Sequence, residues 1–425
     1  MSSVWEKRWG TLETLLTALA KQYKKAAQND PWMEMMCSLV ASLCVFGDTQ
    51  FDFFYKGFFK NKNLCSSLYY PKEHVMHATL DQIVYDMSLF QQAAGQRQKK
   101  HLRPTLEKAD KLAQLAINVA IENNLLKETG VITYFDKSPN IRLIPYAPIA
   151  LISIPYTCID VAQDLLAIPH EVGHYVYRHS PGLISQLHEQ IDLHPMVLNW
   201  LEEIFCDVYG TLVAGPVIGL DFEDLLLTAS YSEFITDDGN HPVPAIRPYT
   251  YITTLKQLHF TQAADALEQK WERKLRKRHN PTTFFPYEDE NKLSLNVAKE
   301  VVQTTSKQLL AFLLKDKKVV NHHYWSQDTL ILEGLYSLFA QWIEVLPQVD
   351  TYLLQEEQNK VGLMLNGTDI LLNERKTGST QTWRDWFKRT VQQEVSLLNA
   401  TAWLPIFSTG GWTTQGPDDD GDDGL

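Results

Sequence analysis

The sequence lacks any charge-free apolar stretch of about 18 residues, the length that a membrane-spanning helix needs. The nearest approach, IPYAPIALISIPYTCI from Ile144, is broken by prolines and rich in β-branched residues, which suits buried strands and turns. The opening MSSVWEKRWGTLETLL has no apolar core followed by a small-residue cleavage site, so no secretory leader is expected. Cysteine is scarce: Cys37, Cys44, Cys65, Cys158 and Cys206 are odd in number, form no CxxC pair and lie partly in apolar runs. That pattern predicts reduced, buried thiols and a cytoplasmic setting. The Asn-Gly-Thr at Asn366 and the Asn-Ala-Thr at Asn399 then carry no meaning as glycosylation sites. Positive charge is also short, with 39 Lys and Arg against 51 Asp and Glu and a net charge of -12. A chain this acidic is not expected to bind nucleic acid in general, because that needs a cationic face to displace counterions. Its local basic runs, QRQKKHLR and KWERKLRKRHN, read as solvated helix faces. No internal repeat is present.

What the sequence does hold is enough apolar residue, 44% of 425, for a sizeable core. Apolar spacing of three and four recurs up to residue 129, in TLETLLTALAKQYKKAA, ATLDQIVYDMSLFQQAA and TLEKADKLAQLAINVAIENNLL. Pro104 is expected to open a helix. The Phe-dense FGDTQFDFFYKGFFKNKN reads as packing between helices, with an apolar partner surface as the alternative. At Gly130 the texture changes. GVITYFD, NIRLIPY and IALISIPY are short, β-branched and bounded by turn residues, which predicts a small sheet. Helical spacing returns at Asp160 and again in NWLEEIFCDVYGTLVAG, ITDDGNHPVPAIRP is a loop, and residues 251–408 are again mainly helical. The expected class is mainly α with a small β-sheet, α+β. The regions are 1–129 helical, 130–250 core, 251–408 helical, and 409–425 a disordered acidic tail.

One stretch carries chemistry. In AIPHEVGHYVYRHS, His170, Glu171 and His174 form HExxH. Two residues four apart on a helix share a face, so both imidazoles can aim at one point without backbone strain. Glu171 points about 100° away, beside that point, where it can hold the water that a zinc ion activates and take its proton. With 13 histidines in the chain, HExxH arises by chance in roughly two such chains per hundred, so the motif alone does not establish a site. A third ligand decides.

An extended HExxHxxGxxH would need Gly at 177 and His at 180, where the chain has Tyr177 and Ser180. His179 is out of register and expected to be structural. A second format fits. Glu203 and Asp207 are four apart on the next strong helical pattern. Glu203 can supply the third ligand, and Asp207 can accept the second N–H of a ligating His. Glu202 competes with Glu203, but its partner at four is Cys206, which serves less well. HEQID at His188 is not a second motif, and Asp192 and His194 read as caps or loop residues. Pro169 either stands in the first turn of the motif helix or kinks a longer one.

HExxH followed by Glu203-x-x-x-Asp207 resembles the gluzincin superfamily of zinc metallopeptidases, which includes thermolysin-like and Ste24/HtpX-like enzymes. The resemblance covers roughly 130–250. It implies one Zn2+ per chain on His170, His174 and Glu203, Glu171 as general base, and a zincin-like core. It also implies an edge strand beside the motif helix, on which a peptide adds as a further strand; IALISIPY stands in that place. His241-Pro242 with Arg247 downstream resembles a pattern of the Ste24/HtpX-like enzymes and implies His241 and Arg247 as oxyanion donors. The alternative for Arg247 is a partner for a carboxylate. Tyr175, Tyr177 and Tyr249 are further donor candidates that more simply pack. The chain departs from those relatives in having no spanning helix and no long β-rich N-terminal domain.

Two functions follow as expectations. One is a zinc peptidase, acting on a flexible segment or peptide and fitted to a dedicated protein substrate by its helical flanks. The other is a helical interaction protein with a structural zinc or a zincin core that has lost catalysis. An intact Glu171 favours the first, since a structural site has no use for a base.

Overall fold

A computed structural model describes residues 3–27, 30–61, 71–191, 194–287, 291–316, 332–347 and 349. Cys65, Asp192, everything expected of residues 350–408 and the acidic tail lie outside the described residues. The architecture is mostly helical with a small sheet, as the sequence predicts. No described helix is long and apolar enough to cross a membrane.

The chain divides into two compact units. Of the described residues, the first holds those within 3–94 and 145–147. Its described helices are α1 (Val4–Ala26), α2 (Pro31–Asp52) and most of α3 (Lys72–Arg97). Ser3 caps α1 through a capping box with Glu6, and Asp30 caps α2 ahead of Pro31. The Phe-rich segment continues α2 as a π-helical turn, Phe53–Phe59. Its rings do pack: Trp9, Phe51, Tyr55 and Phe59 stack in series, while Phe53 is left exposed.

The second unit holds the described residues within 95–144 and 148–349 and carries the HExxH motif. In chain order it contains α4 (Arg103–Glu122), β1 (Gly130–Asp136), β2 (Asn140–Arg142), β3 (Ile149–Pro155), α5 (Ile168–His179), α6 (Leu183–Gln190), α7 (Leu201–Ala214) and α8 (Pro216–Leu226). These are followed by α9 (Tyr231–Phe234), α10 (Pro248–Gln257), α11 (Thr261–Lys277), the short strands β4 (Thr283–Phe284) and β5 (Leu293–Ser294), α12 (Leu295–Ala311) and α13 (Leu335–Val345). Pro104 stands in the first turn of α4, as expected. The boundaries at 129/130 and 250/251 do not separate this unit. α4 packs on α5 and β1, and α10 and α12 pack on α7.

The main sheet has the order β1-β3-β2, with β1 parallel and β2 antiparallel to β3. IALISIPY was expected as the edge strand beside the motif helix. It is instead the central strand, because GVITYFD pairs along its whole length on the other side. The short antiparallel β2 is the edge strand that lies beside α5.

The outer edge of β1 is taken up by side chains. Asp110 accepts from the Thr133 N–H at 3.2 Å, and Arg97 donates to the Thr133 carbonyl at 3.3 Å. The Gln96 amide donates to the Phe135 carbonyl at 2.8 Å and accepts its N–H at 2.7 Å. Gln96 and Arg97, expected on a solvated basic face, are therefore buried, because they satisfy backbone groups that would otherwise be orphaned.

Two helices set the site. Short 3-10 turns over residues 156–159 and 162–167 lead into α5, so Pro169 falls in the first turn, where its missing N–H costs no helix bond. α7 is apolar nearly all round and buried from Glu203 to Ala214, the mark of a central helix. The Tyr209 hydroxyl ties it to α4 by donating to the Ala116 carbonyl at 2.7 Å. α5 and α7 meet closely at Gly173, where a Cβ would lie 2.8 Å from the Cys206 Cα. Since that neighbour is backbone, it cannot swing aside. Gly173→Ala is expected to spread the helices and cost about 1–3 kcal/mol, the usual penalty of overpacking. Urea unfolding of the full chain checks this, and an unchanged midpoint would contradict the close approach.

Candidate metal centre

His170 and His174 stand one turn apart on α5, their ring centroids 5.0 Å apart and their planes nearly perpendicular. Glu203, in the first turn of α7, reaches both. His170 Nε2 lies 3.4 Å from Glu203 Oε2, and His174 Nε2 lies 3.3 Å from Glu203 Oε1. The carboxylate thus straddles the two rings. One donor atom from each of the three side chains fits within a mutual separation of 4.8 Å. Two imidazole nitrogens and a carboxylate oxygen this close together could hold a metal ion. Among the described residues no other group of three His, Cys, Asp or Glu comes together in this way.

Both Nε2 atoms face Glu203 because both Nδ1 atoms face another carboxylate. His170 Nδ1 lies 3.0 Å from Asp207 Oδ1, an ion-pair distance without the alignment of a hydrogen bond. His174 Nδ1 is hydrogen-bonded to Glu202 Oε1 at 3.0 Å. Asp207, expected to accept the second N–H of a ligating His, stands beside the His170 ring at that ion-pair distance. Glu202, expected only as a rival ligand, instead backs the second histidine. Its neighbour relation to Glu203 carried that signal: adjacent helix positions diverge by about 100°, so one carboxylate reaches past the ring while the other meets its front.

Arg247 holds the inner carboxylates. Its Nε donates to Asp207 Oδ2 at 2.9 Å, and its Nη2 donates to Asp207 Oδ1 at 2.9 Å and to Glu203 Oε2 at 3.0 Å. The Tyr251 hydroxyl adds a hydrogen bond to Asp207 Oδ1 at 2.5 Å. Tyr251 was not singled out from the sequence, although its place four residues after Arg247, one turn on, was a usable sign. Arg247 is buried and committed to carboxylates, which is the alternative reading of it rather than the oxyanion-donor one. His241 differs. Its Nδ1 is held by Asp238 Oδ2 at 2.7 Å, its Nε2 lies 3.6 Å from Glu203 Oε2, and its side chain is 44% exposed. It stands at the rim, outside the three-ligand group.

The charges sort accordingly. Burial opposes charge on His170, but Asp207 and Glu203 outweigh it and push its pKa up to about 9. Burial likewise works against ionised Glu203 and Asp207, yet His170 and Arg247 hold both below the usual carboxylate range. Glu171 follows His170 on α5, about 100° round the helix, and is half-buried. Burial raises its pKa, against the pull of His170 and His174. A carboxyl raised in this way is a stronger base than a solvated one. Cys206 is buried and its thiol is pushed well up by burial first and by the nearby carboxylates, which fits packing under Gly173 rather than ligation.

The other candidates fall into structural places. His179 bonds the Tyr175 carbonyl through Nδ1 at 3.2 Å and stacks on the Tyr175 ring. His194 caps the short turn at Pro195–Val197. Tyr175, Tyr177 and Tyr249 are buried. Compared with protein-family models, curated proteins and solved structures, the chain has no significant match to any of them.

Proposed function

We propose that the chain is a zinc-dependent peptidase of the gluzincin type, with a zincin-like core in its second unit. The observation that carries this reading is the double arrangement of the histidines: both Nε2 atoms converge with Glu203, while both Nδ1 atoms are backed by carboxylates. A carboxylate behind each ring is the usual setting of metal-ligating histidine, where it fixes the tautomer and raises ligand basicity.

His170, His174 and Glu203 would hold the ion. Bound there, zinc supplies Lewis acidity that lowers the pKa of water towards roughly 7 and polarises a carbonyl. Glu171, beside the ligands and raised by burial, takes a proton from the attacking water and returns it to the leaving amine. Asp207 and Glu202 orient the rings, and Arg247 orients Glu203 and Asp207. His241, fixed by Asp238 and exposed at the rim, is placed to donate to a developing oxyanion. A peptide substrate would lie along β2, the edge strand beside α5, since the outer edge of β1 is already occupied. The buried thiols of Cys37, Cys158 and Cys206 suit a reducing compartment such as the cytoplasm. A structural zinc would need a fourth protein ligand to close the site, and the described residues bring only three together.

The test is metal content in the purified full chain and in Glu203→Ala side by side, with cleavage of a peptide mixture read in both. The expected result is about one zinc per chain and cleavage in the wild type, with both lost in the variant. A wild type that takes up no zinc on reconstitution would sink the reading.

A further inference from the structure

The two histidines are backed by two relays of the same form, a carboxylate and then an arginine. For His170 the relay is Asp207 and Arg247, and all of it is buried. For His174 it is Glu202 and Arg178. Arg178 Nε donates to Glu202 Oε1 at 2.9 Å, and Arg178 Nη2 makes a close ion pair with Glu202 Oε2. The guanidinium thus grips the carboxylate with two parallel bonds, the arrangement that fixes a carboxylate most firmly. The oxygen that receives Arg178 Nε is also the one bonded to His174 Nδ1. Arg178 lies one turn beyond His174 on α5, so His170, His174 and Arg178 form one stripe. The outer relay nevertheless differs from the inner one in solvent contact, for the Arg178 side chain is 52% exposed.

We propose that Arg178 is a positioning residue that acts through Glu202 on His174, and that this exposed relay sets how tightly the centre retains its metal. The inference rests on the zinc reading above. Freed from Arg178, Glu202 has other rotamers open to it, and His174 loses the partner that holds its ring square to Glu203. The inner relay has no such freedom, because Arg247 and Tyr251 pin Asp207 inside the core. His174 is therefore the ligand whose hold on the ion responds to conditions outside the protein. An exposed ion pair is also screened by salt, which the buried relay is not.

The test uses the full chain. Zinc affinity is measured by competition with a chromogenic chelator, and Co2+ absorption is recorded in parallel. The proteins are the wild type, Arg178→Gln, Arg178→Lys, Glu202→Gln and the double variant Arg178→Gln/Glu202→Gln. Metal-free melting of each controls for folding. Arg178→Gln is expected to bind zinc about 10–100-fold more weakly, the usual cost of losing a partner behind a ligand, still at one zinc per chain and with a shifted Co2+ band. Arg178→Lys recovers only part of this, since an ammonium cannot form the two-bond grip. Glu202→Gln weakens zinc as well, and the double variant is little worse than either single one, the mark of residues acting in series. About 0.5 M salt brings the wild type towards Arg178→Gln. If the wild type holds one zinc while Arg178→Gln keeps its affinity and its Co2+ spectrum, the proposal fails and the zinc reading stands. Full additivity in the double variant overturns the route through Glu202. No zinc in the wild type overturns the zinc reading and this proposal together.

Discussion

Glu171→Gln is expected to keep one zinc per chain and to lose about 10²–10⁴-fold in peptide cleavage, the range over which a positioned general base contributes. The reasoning is geometric. Glu171 shares α5 with His170 and His174 but stands outside the group of three donor atoms that come together. Replacing its carboxylate with an isosteric amide leaves those donors and both backing carboxylates in place. What disappears is a proton acceptor whose pKa burial has raised. Metal analysis and turnover on the same preparation separate the two properties. Loss of zinc with activity would make Glu171 a ligand. Unchanged cleavage would remove it from the chemistry altogether. A zinc-loaded, inactive variant would in addition hold substrates long enough for them to be identified.

Arg247→Ala should have the largest effect on the fold, about 3–5 kcal/mol, the range for removing one partner of a buried ion pair. Glu203 is 9% exposed and Asp207 is fully buried, and Arg247 donates to both. Without it, two carboxylates are left near each other with only the histidines as counter-charge. Their pKa values, now held down by His170 and Arg247 together, should rise. The stability that ionised Glu203 and Asp207 contribute is present above the ordinary carboxylate range and is lost as pH falls through their lowered values. The variant should therefore begin to lose it at higher pH than the wild type. Chemical denaturation across the acid range reads both effects. An Arg247→Ala protein as stable as the wild type would mean that the guanidinium serves the substrate and not the carboxylates.

How much of this was legible in the sequence depends on how local each feature is. HExxH and Glu203-x-x-x-Asp207 are written in helix periodicity, so the face that bears each set follows from spacing alone. The strand segments at 130–136 and 149–155 were equally plain from their β-branched residues. Strand order was not, because the parallel pairing of β1 with β3 is a long-range choice that no spacing encodes. Burial of Gln96 and Arg97 was hidden for the same reason: a basic run looks solvated until the backbone groups it serves are located. The role of Glu202 depended on how far apart α5 and α7 stand, a distance set by the missing side chain of Gly173.

The side chains along the outer edge of β1 have one more consequence. A strand with unpaired backbone groups on its flank is a template on which other chains, of any sequence, can grow. Gln96, Arg97 and Asp110 fill that flank at Thr133 and Phe135 with contacts that no incoming strand can match without first displacing an ion pair. The filled flank thereby guards this long apolar strand against aggregation, and under the proposed function it would leave β2 as the edge open to an extended peptide.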